Sequence, residues 1–312
     1  MKIFYNFLWI AGLLIWSCCF AMGFNYGHGD SLVVSIILLL AVLAIMSIAI
    51  FLLNKWANPL SGINKKTAKT KELACLCVYA LMVILTVSGF AHFIAVQTEV
   101  KTAVRPLALN RITEIRRVFG NENKEGSYMA YVQELSNTYR NAMKANYADE
   151  STINLAVSEF EDEMMGEGGY ERLKNQANKF LSNCQQSIDF WIPWTVTEYL
   201  TQLDVNTESW MNELVRMSEK NEWVKTTGEK YESHVDSSVS LAEQVINPST
   251  SDFSVLTLVL IVILQVLVLF PYLREKDWSQ SGPKKHKSSR FVVYDGNDSI
   301  INKESNNNIE EI

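Results

Sequence analysis

Few side chains in this 312-residue chain combine the types and spacings that chemistry requires. Two candidates lie inside long apolar runs. His92 is an ionisable group in the latter half of the third run, and Gln265 is a strongly polar group near the middle of the fourth. Polar side chains are costly in hydrocarbon, so each marks either a substrate path or a hydrogen bond to a neighbouring helix. The bond is the simpler role for both. A third candidate is the densest aromatic cluster, Phe190-Trp191-Ile192-Pro193-Trp194. Two indoles flanking a proline at a helix junction either fill a core or form an exposed anchor for a partner or a bilayer surface. Trp191, Pro193 and Trp194 are therefore the candidate interaction residues.

The other polar groupings carry less. His28 and Asp30 share a compact turn, but one imidazole and one carboxylate do not complete a metal site. Glu159, Glu161, Asp162, Glu163 and Glu167 read as a solvated helix face, without the alternating ligands and central glycine of a calcium loop. Of the five cysteines, Cys18, Cys19, Cys75 and Cys77 fall in apolar runs and pack as small hydrophobes. Cys184 is alone in the polar block, so no disulfide framework or zinc spacing exists there. Cys75 and Cys77 are one residue too close for a redox pair. No GxSxG, Walker A, GxGxxG or HExxH motif is present, and the polar block holds a single histidine, His234. The expectation is a non-enzymatic protein that uses no metal or cofactor.

The elements that hold these residues follow from hydropathy. Apolar runs cover residues 3–24, 31–53, 73–96 and 253–273. A helix needs about 20 apolar residues to cross about 30 Å of hydrocarbon, and all four qualify. Lys55, Lys65, Lys66, Lys69 and Lys71 follow the second run, and Arg274, Lys276, Lys284, Lys285, Lys287 and Arg290 follow the fourth. Basic loops stay in the cytoplasm. Four crossings then place both termini inside and residues 98–252 outside. The first run has a rival reading as a cleaved signal peptide, with Ala21-Met22-Gly23 as its cleavage site. Cys18 and Cys19 fit a lipoprotein signal poorly, because Trp16 occupies a small-residue position. Retention of the first helix is the preferred expectation.

Residues 98–252 carry 15 Lys and Arg against 25 Asp and Glu, a net charge of −10. That balance argues against a nucleic-acid partner, which requires clustered basic groups. Apolar residues recur every three or four positions along the block, and no convincing strand alternation appears. The third apolar helix is expected to continue outward as a stalk through Val100, Val104, Ile112 and Ile115, bent at Pro106. Later stripes begin at Tyr128, at Ile153 after a capping cluster at Asp149, at Tyr170 after Gly166, Gly168 and Gly169, and at Trp194 and Trp210. A last stripe runs through Tyr231, Val235, Val239 and Val245, and Asp252 is positioned to cap the fourth membrane helix.

The predicted fold class is all-α: a polytopic membrane protein with four transmembrane helices and an extracytoplasmic bundle of about six helices between the third and fourth. Residues 1–97 form the membrane domain with three helices, 98–252 the helical domain, 253–273 the fourth helix, and 274–312 a mostly disordered tail. The helical domain contains no Asn-x-Ser/Thr acceptor, which with its lack of disulfides points to a bacterial inner membrane. Expected partners are the bilayer and either a protein or a second copy of the chain. The favoured role is an anchored interaction domain, a scaffold or subunit of an envelope complex. A sensor acting through a partner, an immunity-type protein and a transporter or channel subunit are the alternatives.

Overall fold

The computed structural model describes residues 2–28, 32–57, 65–120, 125–146, 149–166, 168–248 and 254–276. Its regular elements are helices, and no strand occurs among the described residues. They are α1 (Lys2–His28), α2 (Leu32–Ala57), α3 (Lys65–Ala95), a π turn (Val96–Val100), α4 (Lys101–Val118), α5 (Tyr128–Asn146), α6 (Glu150–Met164), α7 (Gly169–Phe190), α8 (Val196–Ser218), α9 (Glu222–Thr227), α10 (Leu241–Ile246) and α11 (Val255–Glu275). Among the described residues, four helical stretches are long and apolar enough to cross a membrane: Phe7–His28, Leu32–Ala57, Lys66–Val118 and Val255–Arg274. The proposed cap Asp252, the tail beyond residue 276, and Gly29 and Asp30 of the His28 turn lie outside the described residues.

Helix α1 packs on α2, α3 and α11. Its crossing with α3 is made by glycines. A Cβ at Gly23 would lie 1.7 Å from the Gly89 carbonyl oxygen, and a Cβ at Gly89 would lie 2.7 Å from the Phe20 ring. The two backbones therefore touch directly, the arrangement small residues permit where lipid gives no hydrophobic drive for association. Trp16 fills the layer below, stacked on Phe90 at 4.5 Å and donating its indole N–H to Thr86 Oγ1 at 2.9 Å. Large apolar side chains also point away from the bundle, among them Phe7, Val33, Ile37, Phe51, Ile84 and Val262. Such an outer surface suits helices solvated by hydrocarbon.

The third apolar helix does run on beyond its apolar run, with α3, the π turn and α4 forming one helical stretch. The sequence places its irregularity at Pro106, but α4 runs through that residue. Pro106 lies on the exposed face of α4, as does Thr102 one turn back, whose carbonyl loses its helical donor to the proline. The irregularity falls instead at Val96–Val100. Buried Val96, Val100, Val104, Ala108 and Ile112 are spaced by four, which outruns a 3.6-residue turn. The wider π turn absorbs part of that drift and keeps the stripe on the core side.

Beyond the stalk, α7 packs on α4, α8 folds back on α7, and α5 and α6 form a hairpin. Asp149 caps α6, accepting from the backbone N–H groups of Ser151 and Thr152 at 3.4 and 3.2 Å. Gly166 and Gly168 take positive φ in the turn into α7. Tyr26 of α1 and Val96 of the π turn belong to the same hydrophobic core as Tyr170, Leu181, Trp191 and Leu214. The domain core and the ends of two apolar helices are thus one packed body.

The last apolar stripe is not the helix its spacing predicts. Residues 228–240 run without helix, and only Leu241–Ile246 is helical. Tyr231 and Val235 are still buried, but along an irregular strand of chain. Serines and Asp236 supply the local bonds instead. Tyr231 N–H donates to Ser218 Oγ at 3.1 Å, and Ser238 N–H to Asp236 Oδ1 at 2.9 Å. Short polar side chains that capture backbone groups compete with helix formation.

Candidate functional site

Three places in the fold concentrate polar or aromatic groups: the α7–α8 corner, an extended-segment clamp, and a groove beside the α5–α6 hairpin. The corner holds the three candidate interaction residues, and the structure separates them. Helix α7 ends in a Schellman motif, with Trp191 N–H donating to Ile188 O and Ile192 N–H to Ser187 O, both at 3.2 Å. Trp191 occupies the left-handed position of that motif, with φ 49° and ψ 56°. Glycine is usual there, and a bulky residue is strained. This backbone turns the Trp191 indole inward, leaving it 2% exposed, beside the Tyr26 hydroxyl but outside hydrogen-bond geometry. Gln97 Nε2 donates to the same hydroxyl at 2.9 Å. The neighbours go the other way: Phe190 is 72% and Trp194 46% exposed. Pro193 and Trp194 border an apolar cavity whose other walls come from α1 and α2.

His92 is buried on α3 with its ring near Gly27 of α1, since a Cβ at Gly27 would lie 3.7 Å from His92 Nε2. Gln265 of α11 accepts a short hydrogen bond from the Tyr79 hydroxyl of α3. At the basic end of the bundle Tyr272 donates to Glu72 at 2.5 Å, and Lys71 lies 4.5 Å from the centre of the Trp56 ring. His92 and Gln265, the two polar candidates of the apolar helices, stand on different helices, and among the described residues no contact joins them.

The clamp is an ion pair between buried Arg111 of α4 and half-buried Asp204 of α8. Arg111 also donates to the Val239 carbonyl at 2.7 Å. Asp204 accepts from Ser240 Oγ at 2.9 Å and from the Ala242 N–H at 3.1 Å. The pair thus holds the irregular segment and α10 against the stalk. Behind it Tyr128, Tyr170 and Tyr231 pack as a ring cluster with Tyr131, with centroids 5.1 to 5.7 Å apart. Burial pushes the hydroxyls of Tyr131 and Tyr231 up to about 12, and those of Tyr128 and Tyr170 up as well. Burial likewise raises the Cys184 thiol to about 12.

The groove lies between α5, α6 and α9, with a volume of about 480 Å³. Its floor is aromatic. Tyr139 stacks on Phe160 at 4.9 Å, and Trp223 meets both edge-on at 5.5 and 5.9 Å. Its rim carries Glu159, Glu163 and Glu222. Asn221 ties the halves together, capping α9 and donating to Glu163 at 2.6 Å. Part of the acidic run that reads as a solvated face therefore borders an aromatic floor. Trp223 falls in no apolar stripe, and the signal that finds it is the Asn221 cap that begins its helix. Among the described residues, no three of His, Cys, Asp and Glu lie close enough together to hold a metal ion.

No protein-family model, curated protein or solved structure matches the chain.

Proposed function

We propose that the chain is a non-enzymatic integral membrane protein of a bacterial inner membrane that presents its acidic helical domain outside the cytoplasm to a protein partner. The observation that carries this reading is the groove between α5, α6 and α9. Tyr and Trp are the residues that most often anchor protein interfaces, and here they floor a groove rimmed by carboxylates. The surrounding block has a net charge of −10. Both features select a partner segment with basic side chains, whose Lys or Arg can meet the glutamates and the aromatic faces. Lys55 near the end of α2 and Lys65, Lys66, Lys69 and Lys71 at the start of α3 support the orientation. The burial of Leu13, Trp16 and Tyr26 supports retention of α1. The glycine of the supposed cleavage site is the residue that lets α1 cross α3.

The test is affinity purification of the full chain from its native membranes, beside Trp223→Ala and a Glu159→Lys/Glu222→Lys variant. A partner of fixed stoichiometry that both variants lose, and that elutes with salt, is the expected result. A partner retained by both variants removes the groove from the reading. No stoichiometric partner at all removes the scaffold function. For orientation, Thr138→Cys should react with a membrane-impermeant maleimide in intact cells, and reaction only after lysis would invert the topology.

A sensor reading has one observation in its favour, the unbroken helical path Lys66–Val118 from the basic loop into the domain. A π turn lies within that path, and such turns recur at functional sites. Ligand-dependent changes in cross-linking between Trp56→Cys and Lys71→Cys would favour it over a static scaffold.

A further inference from the structure

The α7–α8 corner does not overhang the apolar helices freely. Between them is a cavity of about 140 Å³, walled by Cys18, Ala21 and Asn25 of α1, by Leu32, Ser35 and Ile36 of α2, and roofed by Pro193 and Trp194. Every wall but the roof belongs to a helix apolar enough to cross a membrane. Side chains beside it on α2 face outward into the surrounding medium, with Leu32 49% and Ile36 48% exposed. In a bilayer that medium is lipid. Ser35 is only 8% exposed, and its hydroxyl has no hydrogen-bond partner among the described residues. An unmet hydroxyl in an apolar wall is costly unless a ligand supplies the bond. Trp194 lines the cavity together with Leu32 and Ser35 of the first turn of α2, and tryptophan collects at the ends of membrane helices, at headgroup depth.

We infer that this cavity binds a segment of one acyl chain of a bilayer glycerolipid, with Trp194 closing over it and the Ser35 hydroxyl donating to an ester carbonyl of the same lipid. Phe190 and Trp194 then project into the headgroup layer, and the strained backbone of Trp191 is what separates their direction from that of the buried indole. The corner fastens the helical domain to the membrane surface as well as to α1. This inference rests on the membrane reading above and on no feature of the acidic groove.

The probe is a phosphatidylethanolamine carrying a diazirine and an alkyne in one acyl chain, reconstituted with the full chain in nanodiscs. Cross-linked peptides are mapped after irradiation. In wild type, cross-links concentrate on residues 18–25 and 32–39 above the level at lipid-facing Leu81, Ile84 and Leu85. Ala21→Phe fills the cavity and Trp194→Ala removes its roof, and either variant brings that excess down to the level at Leu85. Trp194 is half-exposed, so its variant folds even if Ala21→Phe does not. Ser35→Ala lowers the excess without abolishing it. Equal labelling of all lipid-facing residues in wild type overturns the site while leaving membrane insertion intact. An excess unchanged in Trp194→Ala overturns it too. Absence of cross-links at Leu81, Ile84 and Leu85 overturns the membrane reading itself.

Discussion

Replacing Trp191 by alanine and by glycine should reverse the usual order of those two residues. The indole is 2% exposed in the domain core, and removing a buried Trp side chain costs about 3–5 kcal/mol in either variant. The variants differ only in the backbone. At φ 49° and ψ 56° an L-residue carries about 1–2 kcal/mol of left-handed strain, which alanine keeps and glycine does not. Glycine gives back roughly 0.5–1 kcal/mol in chain entropy. Trp191→Gly should therefore be more stable than Trp191→Ala by about 0.5–1 kcal/mol, or roughly 1–4 °C in unfolding temperature. Exposed Asn178 in the middle of α7 supplies the control. There Asn178→Ala should exceed Asn178→Gly by about 1 kcal/mol, as in any helix interior. Thermal unfolding of the full chain in one detergent, followed by circular dichroism, measures all four. If Trp191→Ala is as stable as Trp191→Gly while the Asn178 pair behaves normally, the left-handed turn at this corner is wrong, and with it the reason Trp191 and Trp194 point apart.

Arg111→Ala should destabilise the domain by about 1–3 kcal/mol, because it takes the guanidinium from the half-buried Asp204 carboxylate and from the Val239 carbonyl. Trypsin should then cut at Lys230 well before the rest of the chain unfolds, and Arg111→Met/Asp204→Leu should be milder than either single loss. Gly23→Ala should prevent assembly of the apolar bundle, since its Cβ would lie 1.7 Å from a backbone oxygen that cannot move aside. Gly27→Ala, whose nearest neighbour is the His92 ring at 3.7 Å, should leave a single symmetric gel-filtration peak. The tyrosine cluster sets an alkaline limit. Its folded-state hydroxyls titrate above the unfolded value of about 10, so the stability they confer is complete below pH 10. It is lost as pH rises toward 12, and Tyr231→Phe should delay that loss in a thermal-shift series from pH 9 to about 12.

Most helices were legible along the chain because period and capping act locally. The apolar runs exceed the length a bilayer requires, and Asp149 caps α6 where a cap was expected. Spacing failed at Tyr231–Val239, where serines and Asp236 compete for the backbone and a helix pattern folds as an irregular strand of chain. At Pro106 the helix does not end: α4 continues through the residue, which lies on its exposed face. The candidate site was legible only as composition. Trp191, Pro193 and Trp194 could be named, but their directions depend on one left-handed dihedral set by the Schellman bonds.

Hydropathy and helical period, which need only neighbours in sequence, thus determined by themselves four apolar helices and an acidic helical block between the last two. Tertiary structure alone decided that Tyr26 enters the domain core, that Gly23 meets Gly89, and that Glu159 and Glu222 rim one aromatic groove. Each of these joins residues distant along the chain. Their contact depends on how whole helices cross, and no local pattern encodes that.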